Sequence, residues 1–193
     1  MIETATHDSL RDTLLIAMPQ MDDPNFAESV VYLCDHNSEG AMGLVINRPL
    51  NVCVGDLFKQ IGLNFPDEAP HYQDHVFLGG PVDMEHGFVL HTHKEDSPTA
   101  NALHITPDLS LTSSQAIFDS IAAGEGPNNT LVALGYAGWG PGQLENELAQ
   151  NIWLNSPADR SILFSTPIEH RLTRAAARIG VDLTLLSHEA GHA

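Results

Sequence analysis

The residues whose types and spacings could do chemistry are few in this chain, and each has a bland structural alternative. His188-Glu189-Ala190-Gly191-His192 matches the H-E-x-x-H pattern of zinc-protease helices. That chemistry needs both histidines on a stable helix, a third protein ligand and an enclosing cleft. Gly191 weakens a helix here, and the sequence ends one residue after His192, so no catalytic metal is expected. His91 and His93 would share one face of a strand, since side chains alternate, and make a plausible metal pair. His71, His75, His86 and His104 are candidates for a third ligand, but nothing in their spacing brings them to that pair. The expectation is solvent-facing strand histidines and no metal site.

Nucleophile chemistry is poorly served. There is no G-x-S-x-G elbow and no serine in a recognisable catalytic setting. Cys34 stands beside Asp35 and His36. A neighbouring carboxylate raises a thiol's pKa, so two buried reduced thiols, Cys34 and Cys53, are expected rather than a reactive one.

The stretch LVALGYAGWGPGQLENEL, Leu131 to Leu148, is the most distinctive. An apolar β-forming run ends at Gly135, a loop with glycines 138, 140 and 142 follows, and Gln143 to Leu148 reads as helix with Pro141 at its start. Strand, glycine loop and helix can present backbone N–H groups to a ligand. No Gly-Lys-Ser/Thr ending marks a phosphate loop, and Trp139 and Pro141 break a dinucleotide fingerprint. Glu145 and Glu147 complement the positive helix end and disfavour an anion. A structural loop-to-helix entry is expected, with a neutral-ligand or peptide site on an exposed Trp139 as the sharper alternative. Arg48, in INRP, is expected to pair with a carboxylate such as Glu28, Glu145 or Glu147, or else to capture a carboxylate or phosphate.

The elements that must position these residues follow from periodicity and punctuation. TLLIAM, SVVYLCDH and AMGLVINRPL read as three strands, the last two joined as a hairpin by Asn37 to Gly40. VGDLFKQIGL places Val54, Leu57, Phe58 and Ile61 on one helical face. HVFLGGPV is a strand broken by Gly79, Gly80 and Pro81; GFVLHTH is another, and ALHITPDLSLT gives one or two more. SSQAIFDSIAAGEG is a helix capped by Ser113 or Thr112 and stopped by Gly124. IWLNS and SILFST follow as short apolar pieces. PIEHRLTRAAARIG is a helix from Pro167 to Gly180, and VDLTLLSHEAGHA a possible last strand and tail. Strands first and helices later predict an α+β fold with a mostly antiparallel or mixed sheet, in one domain over 1–193, with flexible ends at 1–12 and 186–193.

Composition bounds function. The chain has 193 residues, 42% of them hydrophobic, which favours one ordinary core, and no apolar run approaches a membrane span. It carries 25 acidic against 8 basic residues, a net charge of −17. Duplex binding draws its affinity from Lys and Arg neutralising phosphates, so direct nucleic-acid binding is disfavoured, as is an anionic membrane. Arg171, Arg174 and Arg178 recur at helical spacing, and the expectation is pairing with the protein's own acidic surface or a partner's.

Three segments together, LLIAMPQMDDPNFAESVVYLCDHNSEGAMGLVINRPL, HVFLGGPVDMEHGFVLH and LGYAGWGPGQLENELAQNIWL, resemble the AlgH/YqgE family of bacterial proteins. The resemblance runs from Leu14 to about Gly180. It implies a bacterial cytosolic protein of α+β fold, with a sheet that curls toward a barrel and is flanked by helices. It implies no established activity; one founding member was described as a regulator of alginate (exopolysaccharide) gene expression, and the transcriptional-regulator label is widely carried. No cofactor is expected. Family-like positions that are Gly or Pro suit backbone shape. Asn47, Arg48, Trp139, Gln143 and Glu145 are the polar or aromatic exceptions, and with Gly79 and Gly80 they form the candidate patch. The leading expectation is a non-catalytic, cytoplasmic binding protein for a protein partner or small ligand. The alternatives are a transcriptional regulator, indirect rather than DNA-binding, and an enzyme holding Arg48 and Glu145 in one closed pocket.

Overall fold

A computed structural model describes residues 9–93 and 102–186. The apolar, β-branched runs pair into a sheet ordered β10-β1-β2-β3-β9-β6-β8-β7. Its strands are β1 Thr13–Ala17, β2 Val30–Asn37, β3 Gly40–Val45, β6 Val82–Thr92, β7 Leu103–Thr106, β8 Leu109–Thr112, β9 Thr130–Trp139 and β10 Trp153–Pro157. A side arm, β4 Pro49–Cys53 with β5 His75–Leu78, joins β9 through a parallel ladder; the other ladders are antiparallel. No ladder joins β10 to β7 among the described residues, so the sheet curls without closing. The fold is α+β, with a mixed, mostly antiparallel sheet flanked by helices. No helix among the described residues is long and apolar enough to cross a membrane.

The hub is β9, which the sequence reading cut short. The strand does not end at Gly135. It runs to Trp139 and changes partner on the way, pairing Val132–Leu134 with β5 and then Ala137–Trp139 with β3, while β6 lies along its other side. Gly135 makes this possible with φ 71, a conformation that L residues with a Cβ rarely adopt. A Cβ there would sit 2.6 Å from the Gly80 carbonyl oxygen and 2.8 Å from that of Val82. The GGP turn therefore packs backbone to backbone against β9. Of the glycines of the expected loop, Gly138 belongs to this bent strand, while Gly140 and Gly142 lie between it and the next helix.

Helices close the faces. Helix α1 (Val54–Gln60) and α2 (Gln115–Ala122) cover a cluster built on Phe58, Phe65, Val89, Phe118 and Val132. The N-cap of α2 is Ser114, not Ser113 or Thr112. Helix α3 (Gln143–Ala149) follows Gly142 rather than starting at Pro141, because Gly142 turns the chain with φ 72. SILFST becomes helix α4 (Arg160–Phe164), started by the Asp159 carboxylate accepting from the Ser161 N–H. A 3-10 turn (Ile168–His170) leads into α5 (Arg171–Ala177), whose Ala175 and Ala176 seat it on the main core beside Leu14, Tyr32 and Leu163. The stretch expected as a last strand is helical at α6 (Leu183–Leu186). Each fully buried Leu, Ile or Val of these clusters contributes about 1.5–3 kcal/mol. Within the segment read as a flexible N-terminus, Ser9 and Leu10 bond His36 and the Asp12 N–H donates to the Leu33 carbonyl. The H-E-x-x-H motif lies outside the described residues.

Candidate functional site

The candidate patch is best built from Asn47 and Arg48, which link β3 to β4. The Asn47 amide accepts from the Val30 N–H at 2.9 Å and donates to the Glu28 carbonyl at 2.9 Å. Arg48 donates to the carbonyls of Pro24 at 2.9 Å and Ala27 at 2.7 Å. Two adjacent side chains thus hold three carbonyls of one surface loop, residues 22–28. Arg48 pairs with no carboxylate among the described residues, which corrects the expected ion pair. The reason is geometric: the loop's carbonyls face the strand end, and Glu28, held in the left-handed region at φ 58, offers Asn47 its backbone.

The same loop reaches Trp139. Phe26 stacks on Trp139 at 6.1 Å between ring centroids and meets Trp153 edge-on at 5.6 Å. The two indole N–H groups both donate to one oxygen of Glu147, at 2.9 and 2.8 Å. Gln143 donates to the other oxygen and accepts from the Gly140 N–H. Trp139 is only 6% exposed, so the expected exposed aromatic is instead a core residue, buried because β9 continues past Gly135. Glu145 lies apart from Arg48 and meets His36 at 3.0 Å. His36 Nδ1 accepts from the Leu10 N–H, which leaves Nε2 to carry the proton toward Glu145. Arg48 and Glu145 thus make different contacts, Arg48 with loop carbonyls and Glu145 with His36. Gly79 and Gly80 adjoin through the backbone: the Leu78 N–H donates to the Arg48 carbonyl and the Val45 N–H to that of Gly79.

Asn47 and Arg48 hold loop 22–28 through its carbonyls, Trp139 meets the same loop through Phe26, Gln143 reaches Trp139 by way of Glu147, and Glu145 is in a separate contact with His36. Phe26, Glu147 and Trp153 complete the assembly. The sequence signal for Phe26 was its place in DDPNF; for Glu147 and Trp153 nothing short of the fold joins them.

The remaining candidates resolve as follows. His91 is 1% exposed rather than solvent-facing, and lines a cleft with Ala116, Ile117 and Ser120 of α2 and the turn after it. Its ring is 6.2 Å from that of His93, which is 5.5 Å from that of His104. No three His, Cys, Asp or Glu side chains among the described residues are grouped to hold a metal. Burial, with His93 and His104 nearby, pushes the His91 pKa down. Ser110 bonds His104 at 2.9 Å but is fully buried and cannot reach a substrate. Cys34 is buried, and burial followed by the Asp35 charge pushes its thiol pKa up, so it stays an inert thiol. Cys53 is only partly buried, and its sulfur caps α1.

The arginine stripe splits. Arg178 bridges Asp159 at 2.6 Å, as expected of pairing within the protein. Arg174 is exposed. Arg171 turns inward and is 6% exposed. Its Nε donates to the Thr166 carbonyl and Nη1 to the Ile46 carbonyl, and its guanidinium lies 5.1 Å from the centroid of the Phe77 ring.

Comparison with known proteins places this architecture. The family model described as AlgH-like (DUF179) matches residues 14–184. A UPF0301 protein of Saccharophagus degradans is 49% identical over 185 residues, 96% of this chain and 89% of the relative. One of Hahella chejuensis is 47% identical over 96% of this chain and 97% of its own. The solution structure of the AlgH protein from Pseudomonas aeruginosa matches over 100% of both chains with TM-score 0.77 at 45% identity. A Corynebacterium diphtheriae protein shares the fold alone, with TM-score 0.72 at 21% identity over 91% of this chain and 90% of its own. On the family model, the relatives and the shared fold, this chain belongs to the AlgH-like (UPF0301) family, whose biochemical activity is not established.

Proposed function

We propose that the protein works in the cytoplasm by binding rather than catalysis, and that loop 22–28 is its docking element for a protein partner. The observation that carries this reading is the anchoring of the loop: Asn47 and Arg48 hold the carbonyls of Pro24, Ala27 and Glu28, and Phe26 is locked against two tryptophans. A connector needs far less. A loop fixed in advance loses little conformational entropy when a partner docks. Asp22, Asp23, Asn25 and Glu28 face solvent, so the docking face is acidic and suits a basic partner surface, with association that slows as salt rises. Asn47, Arg48, Trp139 and Gln143 act in this reading as positioning residues. The free thiols support a reducing compartment. Any effect on transcription runs through that partner, since a net charge of −17 opposes DNA.

The test is affinity capture from bacterial extract with wild type and with an Asp22→Asn, Asp23→Asn variant of unchanged melting temperature. A partner retained by wild type and lost by the variant supports the reading; equal capture by both overturns it. A salt-sensitive, specific operator complex in a mobility-shift assay would overturn the indirect route.

A further inference from the structure

Arg171 is a buried cation that makes no ion pair among the described residues. Its side chain leaves the first position of α5 and runs beneath the Thr166–Ile168 segment to the end of β3. Two carbonyls and an aromatic face are its partners, and no ion pair to a carboxylate is found among the described residues. Burial alone pulls its pKa down to about 10; no carboxylate acts to raise it. A chain with 25 acidic residues has left this guanidinium uncompensated. Burying an unpaired charge is costly, and a site that tolerates the cost commonly uses the charge.

The guanidinium is also reachable. Nε and Nη1 are engaged, whereas Nη2 makes no hydrogen bond among the described residues. Arg171 lines a cleft of about 350 Å³ between the α4–α5 segment and the starting ends of β5 and β9. Gln73, His75, Thr130 and Thr166, which carry amide, imidazole and hydroxyl groups, line the same cleft. These are the donors that a small oxyanion needs, in a volume within the range of ligand sites. Asp74 and Glu169 also line it. Asp74 bonds His71 at 2.7 Å and Glu169 is exposed; neither forms an ion pair with Arg171.

We infer that this cleft is a binding site for a small oxyanion, the carboxylate or phosphate of a metabolite, taken up by the free Nη2 edge of Arg171 with the flanking hydroxyls. The site is distinct from loop 22–28 and does not depend on the proposed partner. An anion there completes the charge balance of a buried guanidinium, and the planar fork of Arg suits either oxyanion.

The experiment is an NMR titration of the full chain with inorganic phosphate and, separately, acetate, against chloride at matched ionic strength. Saturable shifts at Thr130, Thr166 and the Arg171 side-chain Nε–H are expected from at least one oxyanion and not from chloride; the tighter of the two tells phosphate from carboxylate. Arg171→Lys, which keeps the charge but loses the fork, is expected to weaken binding about ten-fold, the loss of one charge-assisted hydrogen bond. Should that variant fail to fold, Glu169→Gln removes an exposed charge from the cleft rim and is expected to tighten binding about two-fold. Non-saturable shifts shared with chloride overturn the inference. So does saturable binding that a folded Arg171→Lys leaves unchanged, or that Glu169→Gln does not tighten.

Discussion

Arg48 and Arg171 are both arginines that bond backbone carbonyls instead of carboxylates, yet they stand in opposite positions. Arg48 and its neighbours form a closed account: both terminal nitrogens are engaged, Asn47 is bonded at both ends of its amide, and both oxygens of Glu147 are taken. The Arg171 region is open. One terminal nitrogen is spare, the charge is buried, and a cleft leads to it. A satisfied polar network rigidifies its surroundings, whereas an incomplete one is held at a cost and has capacity left for a ligand. That contrast fits Arg48 as a positioning residue for loop 22–28 and the Arg171 cleft as the proposed oxyanion site.

The sharpest way to break the contrast is to remove each arginine. Arg171→Met removes the donors to the buried Ile46 carbonyl and the part-buried Thr166 carbonyl, at about 1–3 kcal/mol for the first and less for the second, and loses the packing of the side chain, less the relief of the desolvated charge. A net loss of about 3 kcal/mol is expected in urea unfolding. Arg48→Met releases carbonyls that water can reach, so about 1 kcal/mol is expected globally. Its signature is local: faster amide exchange confined to residues 22–29. Equal global losses for the two variants would erase the distinction between them.

Glu147 tests whether the closed network is closed by charge or by shape. Glu147→Ala strands two indole N–H groups and the Gln143 amide; Trp153 is fully buried and Trp139 nearly so. The expected loss is about 2–3 kcal/mol. Glu147→Gln retains one acceptor oxygen and should lose about half of that. Tryptophan fluorescence should shift to the red in the alanine variant as water enters. An unshifted spectrum with unchanged stability would mean that packing alone holds the pair.

How much of this was legible beforehand depends on the range of the interaction. The hairpin of β2 and β3 was legible from its turn residues and alternating runs, and α1, α2 and α5 from their spacing. The course of β9 was not, because Gly135 reads locally as a strand end and only its approach to Gly80 and Val82 shows it to be a bend. Trp139 was misplaced for the same reason: a tryptophan between glycines looks exposed until the strand is known to continue. α6 was misread as a strand because a short run such as DLTLL fits both periods. For the site, Asn47 and Arg48 stand out in the sequence as polar residues at a strand end, but their partners in the fold are carbonyls of loop 22–28, which a sequence does not display. Arg171 was visible only as one member of a stripe. Nothing in RLTR distinguishes the arginine that turns inward from the one that stays out.

His91 offers the smallest and cleanest extension of the contrast, since it too is a buried group left incomplete. Its Nε2 has no hydrogen-bond partner, while Nδ1 sits 3.3 Å from the Thr92 carbonyl. Burial, and secondarily the nearby His93 and His104, lower its pKa in the folded state. The folded protein therefore binds fewer protons at this site than the unfolded chain once pH falls below the ordinary histidine value of about 6.5. Stability then rises with pH across the window between the depressed folded pKa and that value, is complete above it, and falls as acid is added. The slope for one such group cannot exceed about 1.4 kcal/mol per pH unit. Urea unfolding between pH 5 and 7 should show His91→Gln, which does not titrate, with a shallower slope than wild type. Parallel slopes would mean that His91 can take up a proton in place, through water that reaches Nε2 from the cleft beside α2. In that case the open, ligand-ready character argued for Arg171 would extend to His91 as well.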